Sequence, residues 1–451
     1  MNASRNPDPP RARPAPSRSA RGERGSGGRR VVITGTGAVS GAGRDPDQML
    51  AAIVDGRSAV APITAFDASG WPVQTAAAIA DFNARALVDD RKLHKLIRRT
   101  DMLGIYAGDR AAEAAGYAAY RDALAEDAAN DFADRTGIYV GSGGGAFENQ
   151  YDFFPLMAQA QGDLEKFGRE LPDTVNPMWL LRTLPNNVLC HVGIRNRLKG
   201  ANACITNHSV GGALAVIEAT EALRNGEADR ALAIGHDTPI ELQNILYYYA
   251  CGLLSRTTLR PFDARRDGSV FGEGAGALAL ETQAAASARG APIVGEVLGG
   301  GHVSEGSGLL AIRDDGDGVA RAIDAALADA GIEAADVGMI VAHGNGTSLS
   351  DASEAAALGR VFGATCPPVT AFKWALGHLI AAAGIVETTI ALAALRAGVV
   401  PGIATFAEAD AACAALPVSR DARRPRSDVA LVLCRGFAAT DAALLVRARP
   451  A

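Results

Sequence analysis

Along the chain, short apolar runs alternate with longer stretches in which apolar residues recur every three or four positions. The first pattern marks buried strands and the second marks amphipathic helices. Val31–Thr34 is the first run, and Gly137–Gly141, Ala203–Thr206 and Arg230–Gly235 follow. Ala277–Glu281, Ile293–Leu298, Met339–Ala342, Val369–Phe372 and Ala430–Leu433 complete the set of predicted strands. Helices are predicted over 91–116, from about Ser209 to Arg224, over Val319–Ala330 and over Ile380–Arg396. Strands alternating with helices in this way predict an α/β layered fold. VVITGTG at 31–37 and VGMIVAHGNGT at 337–347 each carry an apolar strand into a Gly-containing turn, which hints at an internal duplication.

The chain is organised around 198–224, LKGANACITNHSVGGALAVIEATEALR. It is predicted to form a short strand, a tight turn and a long helix. Gly211, Gly212, Ala213 and Ala215 in the first turns of that helix let other backbones approach closely, so the helix is predicted to be central. A side chain at the turn sits at a helix N-terminus, where free N–H groups and partial positive charge favour a developing anion. Several folds hold a nucleophile at such a junction. Ser209 is also an ordinary helix N-cap residue.

Composition narrows the classes. With 451 residues, 48% hydrophobic and 21% charged, the chain is long enough for one large or two medium domains with a sizeable core. No run of about 18 apolar residues is present, so no membrane span is expected. The N-terminus lacks an apolar signal core. Six cysteines are scattered without a C-x-x-C pair, so neither a metal site nor a disulfide framework is expected, and reduced cytoplasmic thiols fit. A net charge of −6 argues against nucleic-acid binding. Residues 1–30, rich in Pro, Arg, Ser and Gly, are predicted to be a disordered tail. Gly35-Thr36-Gly37 resembles a dinucleotide fingerprint, but Ser40 stands where the third Gly belongs, so the turn is taken as structural and no cofactor is expected. Arg91, Lys92, His94, Lys95, Arg98 and Arg99 crowd the entry of the predicted 91–116 helix, either as a solvated face or as a docking patch for an acidic protein.

Three stretches near the C-terminus carry chemistry. His343 leaves a strand into a Gly turn, with Thr347, Asp351 and Glu354 following. Lys373 and His378 lie just past another strand, and Gly436-Phe437 forms a turn between the last two strands. Loops of this kind cluster at one edge of an α/β sheet.

These stretches, together with VVITGTGAVS at 31–40 and RPFDARRDGSVFGEGAGALALE at 260–281, resemble the β-ketoacyl-ACP synthases of the thiolase superfamily. AHGNGTSLSDASEA at 342–355 and KWALGHLIAAAGIVET at 373–388 carry the resemblance further. It covers about residues 31–448. It implies a duplicated five-layer α/β/α/β/α fold, with halves at 31–285 and 286–451. It also implies a homodimer or a heterodimer with a ketosynthase-like subunit, and acyl carrier protein (ACP) substrates. An acidic carrier would suit the basic residues Lys92, Lys95, Arg98 and Arg99.

The family carries a nucleophilic Cys at the strand–helix turn. The A-C-x-T match alone picks Cys204, whereas the intervals to Leu198-Lys199-Gly200 and to Gly226–Asp229 pick Ser209. Ser209 is preferred, because Cys204 needs an insertion and a compensating deletion and falls in the predicted strand. By the same resemblance, His343 and His378 donate hydrogen bonds to the thioester oxygen of a malonyl group, and Lys373 tunes the pair. Glu354 supports the His343 loop. The N–H groups of Ser209 and Phe437 form an oxyanion hole, and Phe437 acts as a gate.

Departures from the family pattern matter. A helix dipole of roughly 0.3–2 kcal/mol cannot ionise a serine hydroxyl at neutral pH, so Ser209 needs a general base, with His343 or His378 the candidates. Ala438 and Ala439 replace two glycines after Phe437, which stiffens the gate. Arg435 replaces an apolar residue and is costly there unless paired. Two functions remain: a Ser-dependent acyltransferase on ACP thioesters, or a non-catalytic partner subunit resembling chain-length factors.

Overall fold

The computed structural model describes residues 29–144 and 151–449. Residues 1–28 of the predicted tail, and Gly145 of the Gly-rich turn after the second strand, lie outside the described residues. Arg30, assigned to that tail, is instead held by Glu296 through hydrogen bonds of 2.7 and 2.6 Å. Order therefore begins before Val31.

Ten strands form the main sheet system: β1 (Val31–Ser40), β2 (Thr136–Ser142), β3 (Asn202–Ile205), β4 (Arg230–Asp237), β5 (Gly274–Thr282), β6 (Gly295–Ser304), β7 (Met339–Val341), β8 (Val369–Thr370), β9 (Val429–Gly436) and β10 (Thr440–Ala448). Their order in space is β8-β7-β9-β10-β6-β1-β5-β4-β2-β3. The first five strands are thus ordered third, second, fourth, fifth, first, and the last five repeat that order. The directions repeat too. β2 is parallel to β3 and β4, as β7 is to β8 and β9. β5 is antiparallel to β4 and β1, as β10 is to β9 and β6. The halves meet where β1 runs antiparallel to β6, with Val31 opposite Val297. This is the thiolase-like duplicated fold.

The helices repeat in the same way. α1 (Arg99–Ala114), α2 (Asn187–Asn196) and α3 (Gly211–Asn225) serve the first half, and α4 (Asp317–Ala330), α5 (Ser348–Phe362) and α6 (Ala383–Arg396) the second. α1 and α2 cover one outer face, and α4 and α5 the other. α3 and α6 pack on each other and on both sets of strands as the middle layer. All of α6 from Ala383 to Leu395 is buried, as expected of a helix enclosed on every side. The small residues of α3 allow the contact: a Cβ on Gly212 would lie 2.5 Å from the Ala381 carbonyl oxygen.

Several predicted boundaries shift for physical reasons. β1 continues to Ser40 instead of turning at Gly35. Gly35 and Gly37 are where α1 crosses the strand, and a Cβ on either would lie 2.3 or 2.2 Å from the Ala111 or Ala107 oxygen. The glycines thus serve helix packing. β3 is a partly exposed outer strand rather than a buried one. The predicted 91–116 helix is a short 3-10 turn over Leu93–Lys95, a break at Arg98, then α1.

Replacing Gly37 with Ala forces the strand off the helix. We expect a loss of about 1–3 kcal/mol, seen as a lower midpoint in urea unfolding.

Candidate active site

The site is built where β3, β7, β8 and β9 end. After β3 the chain passes Asn207 and His208, and Ser209 lies in a 3-10 turn that feeds α3. Ser209 is fully buried. Its Oγ lies 2.9 Å from Nδ1 of His208 and 3.3 Å from Nε2 of His378. Cys204 is elsewhere: it sits on β3, half-buried, with its thiol donating to the Pro185 carbonyl at 3.4 Å. Desolvation pushes that thiol's pKa up, away from a reactive thiolate.

His343 and His378 converge from the ends of β7 and β8, with ring centroids 5.2 Å apart at 77°. Nδ1 of His343 accepts the Arg435 backbone N–H at 3.2 Å, and Nδ1 of His378 accepts the Ile380 N–H at 3.1 Å. A backbone N–H can only donate, so both Nδ1 atoms present lone pairs and the ring protons reside on Nε2. Burial lowers both pKa values well below the ordinary imidazole range, with the Lys373 charge acting in the same direction. Both rings are therefore neutral Nε2–H donors at pH 7. The expectation that one of them deprotonates Ser209 is corrected here: His378 meets Ser209 with its proton-bearing nitrogen.

Lys373 forms a buried ion pair with Glu387 of α6, Nζ to Oε1 2.7 Å, and acts on the histidines through its charge. Glu354 accepts the N–H groups of His343 and Gly344 at 2.6 and 2.9 Å, which fixes that loop. Thr347 bonds Asn345 Oδ1 at 2.9 Å and lines the cavity over Ser209.

The Gly436-Phe437 turn lies across this cavity. Its alanines sit in left-handed backbone, Ala438 at φ 59° and Ala439 at φ 43°. Ala438 N–H is tied to the Leu309 carbonyl at 2.6 Å. The Phe437 N–H is directed at His208 Nδ1, 3.4 Å away, rather than at an open oxyanion hole. The Phe437 ring stacks on the His208 ring at 4.3 Å. Arg435 is paired after all: Nε meets Asp441 at 2.8 Å, and an Nη atom meets Glu305 at 3.3 Å and Ser353 Oγ at 3.2 Å. This clamp also steadies the Arg435 N–H that His343 uses.

Sequence reasoning missed His208, Tyr248 and Glu387. The His-Ser dipeptide was visible, but the direction of the His208 ring comes from its backbone, at φ 45°. Tyr248, whose hydroxyl meets His208 Nε2, arrives from a distant helix.

The basic stretch is not one patch. Arg98 is buried beside Asp101, 3.6 Å away, and Arg99 is bound to Glu273 at 2.7 Å. Arg91, Lys92 and Lys95 remain exposed. Lys92 and Lys95 are therefore the only two of the four predicted docking residues open to a partner.

The fold and the converging strand ends define a thiolase-like condensing-enzyme scaffold. The β-ketoacyl synthase N-terminal domain matches residues 28–286 and the β-ketoacyl synthase C-terminal domain matches residues 294–407, so the chain belongs to the β-ketoacyl synthase family. It is 33% identical over 435 residues to 3-oxoacyl-[acyl-carrier-protein] synthase 2 of Rhizobium meliloti, covering 93% of this chain and 99% of the relative. It is 32% identical over 375 residues to the Staphylococcus aureus protein of the same name, covering 82% and 86%. Among solved structures, the ishigamide ketosynthase/chain length factor superposes with a TM-score of 0.82 at 29% identity, covering 94% of this chain and all of that one. A type II PKS acyl-carrier protein in complex with its ketosynthase gives 0.77 at 25% identity, covering 94% of this chain and 100% of the other.

The tautomers are measurable. In a long-range proton–nitrogen spectrum of histidine-labelled protein, His343 and His378 should show protonated Nε2 and bare Nδ1. Neither should titrate between pH 6 and 8, since burial and Lys373 keep both rings neutral.

Proposed function

We propose that this chain is a β-ketoacyl-ACP synthase-like acyltransferase that takes acyl or malonyl groups from ACP thioesters in fatty-acid or polyketide synthesis. Ser209 is the residue acylated. The observation that carries this reading is the position of its buried Oγ, within reach of His378 Nε2 and beneath the Phe437 turn. His343 and His378, both Nε2–H donors, stabilise the oxygen of a thioester as negative charge develops there, which serves decarboxylation of a malonyl group. No cofactor enters these steps. Relatives named 3-oxoacyl-ACP synthase support the substrate class. A neighbour described as a ketosynthase with its acyl-carrier protein supports the partner.

On this reading residues 31–285 and 286–451 are the two halves of one cytoplasmic enzyme that works as a dimer. Among the described residues no helix is long and apolar enough to cross a membrane. The second reading, a non-catalytic partner that shapes the pocket of a ketosynthase, is favoured by one observation: Ser209 is fully buried, with the His208 and Phe437 rings stacked beside it.

Incubation with octanoyl-ACP, followed by mass spectrometry of the intact chain, decides between them. An octanoyl increment on Ser209, lost in Ser209→Ala, supports the enzyme. No adduct, with ketosynthase activity appearing only when a second subunit is added, supports the partner subunit.

Carrier docking is tested separately. Lys92→Glu with Lys95→Glu should slow loading from octanoyl-ACP about 10-fold at low salt. Loading from a small octanoyl thioester, which has no carrier to dock, should be unchanged.

A further inference from the structure

Two imidazoles meet Ser209, and only one of them meets it with a lone pair. Nδ1 of His208 is approached by two groups, the Ser209 hydroxyl at 2.9 Å and the Phe437 N–H at 3.4 Å. The backbone N–H can only donate, so Nδ1 is the bare nitrogen. The ring proton is then on Nε2, against the Tyr248 hydroxyl. Ser209 thus has a donor on one side, His378, and an acceptor on the other, His208. Burial lowers the His208 pKa to about 4, which leaves its lone pair free at neutral pH.

The surroundings hold this ring in place. His208 lies at φ 45°, a conformation that disfavours a side chain bearing Cβ by roughly 1–2 kcal/mol. Phe437 stacks on it at 4.3 Å and Tyr248 at 6.0 Å. Backbone strain persists where packing over-determines it, and such places cluster at active sites.

We infer that His208 is the general base of this enzyme, taking the Ser209 proton during loading and then activating an O–H acceptor, so that the acyl group leaves by hydrolysis or alcoholysis. The inference rests on the proposed acylation of Ser209. In loading, Nδ1 takes the Oγ proton as Oγ bonds to the thioester carbonyl carbon. The C–S bond then breaks, and the departing sulfur takes that proton and leaves as a thiol. In release, water or an alcohol gives its proton to Nδ1 as its oxygen bonds to the ester carbon. The C–Oγ bond breaks, and Oγ recovers the proton. Tyr248 is a positioning residue that holds Nε2–H and so keeps the lone pair on the Ser209 side. An oxygen ester is a poorer acceptor for a carbanion than a thioester, but a base-activated hydroxyl attacks it by ordinary esterase chemistry.

The test uses the full chain with two probes, a fluorophosphonate that marks activated serines and octanoyl-N-acetylcysteamine as a small thioester. Release is followed as octanoate, or as the octanoyl ester of added 1,2-propanediol. Wild type should be labelled on Ser209 and should release both products. His208→Ala and His208→Gln should be labelled at least about 100-fold more slowly. His208→Ala combined with Ser209→Cys should again be acylated, because a thiol needs no such base, and this shows that the fold and pocket survive. Tyr248→Phe should shift His208 toward mixed tautomers in the nitrogen spectrum.

Labelling of the His208 variants at or above the wild-type rate overturns this inference and leaves the Ser209 reading intact. A wild-type chain that neither probe labels overturns the Ser209 reading itself. An octanoyl-enzyme that persists in water and diol but is consumed by malonyl-ACP overturns the O–H acceptor and returns the chain to carbon–carbon bond formation.

Discussion

The contact on which the site depends is the one between the two middle helices. Gly212 of α3 lies directly against the Ala381 carbonyl in the turn that enters α6. Any side chain there would push the two halves apart. That close approach brings the end of β3, which belongs to the first half, against the end of β8, which belongs to the second. Ser209 and His208 come from one repeat, and His343, His378, Lys373 and Phe437 from the other. The duplication therefore does more than double a sheet. It produces two sets of strand ends that face each other across a layer of small residues.

Given that placement, the direction of a few hydrogen bonds sets the chemistry. Backbone N–H groups of Ile380 and Arg435 each occupy an imidazole Nδ1, so two rings are committed as donors. Burial, reinforced by the charge of Lys373 beside Glu387, keeps them neutral. Neutral donors serve an oxyanion or enolate, and they cannot take a proton from a hydroxyl. For a thiol nucleophile, which ionises far more readily than a hydroxyl, this division suffices. On the proposed acylation of Ser209 one task is left unassigned, and the His208 ring beside that serine is oriented to take it.

Much of this was legible in the sequence. The strand–turn–helix around Ser209, the three C-terminal loops and the repeat all follow from apolar spacing and small residues. What was not legible depends on partners distant in sequence. Gly35 and Gly37 read as a turn because a strand crossing a helix at close range has the same local signature. Arg99 read as part of a surface patch because its acceptor, Glu273, lies 174 positions away, and Arg98 because only the folded chain buries it. Whether Arg435 was paired could not be read in full, since one of its partners, Glu305, lies 130 positions away. His208 was passed over because a histidine next to a nucleophile candidate has no fixed direction until φ is known.

The gate follows from the same local constraint. Two alanines in left-handed backbone sit where glycine is at no disadvantage, and Ala438 is tethered to Leu309. Opening the turn must break that tether and separate the Phe437 ring from His208. Moving Phe437 therefore removes one stacking partner of the ring that faces Ser209 and withdraws the Phe437 N–H from Nδ1. Closed, the turn shares the His208 lone pair between a backbone donor and the serine. Open, it leaves that lone pair to the serine alone and frees the Phe437 N–H for a carbonyl oxygen. On the proposed acylation of Ser209, with Phe437 as its gate, entry of an acyl group and activation of Ser209 are coupled through one aromatic stack.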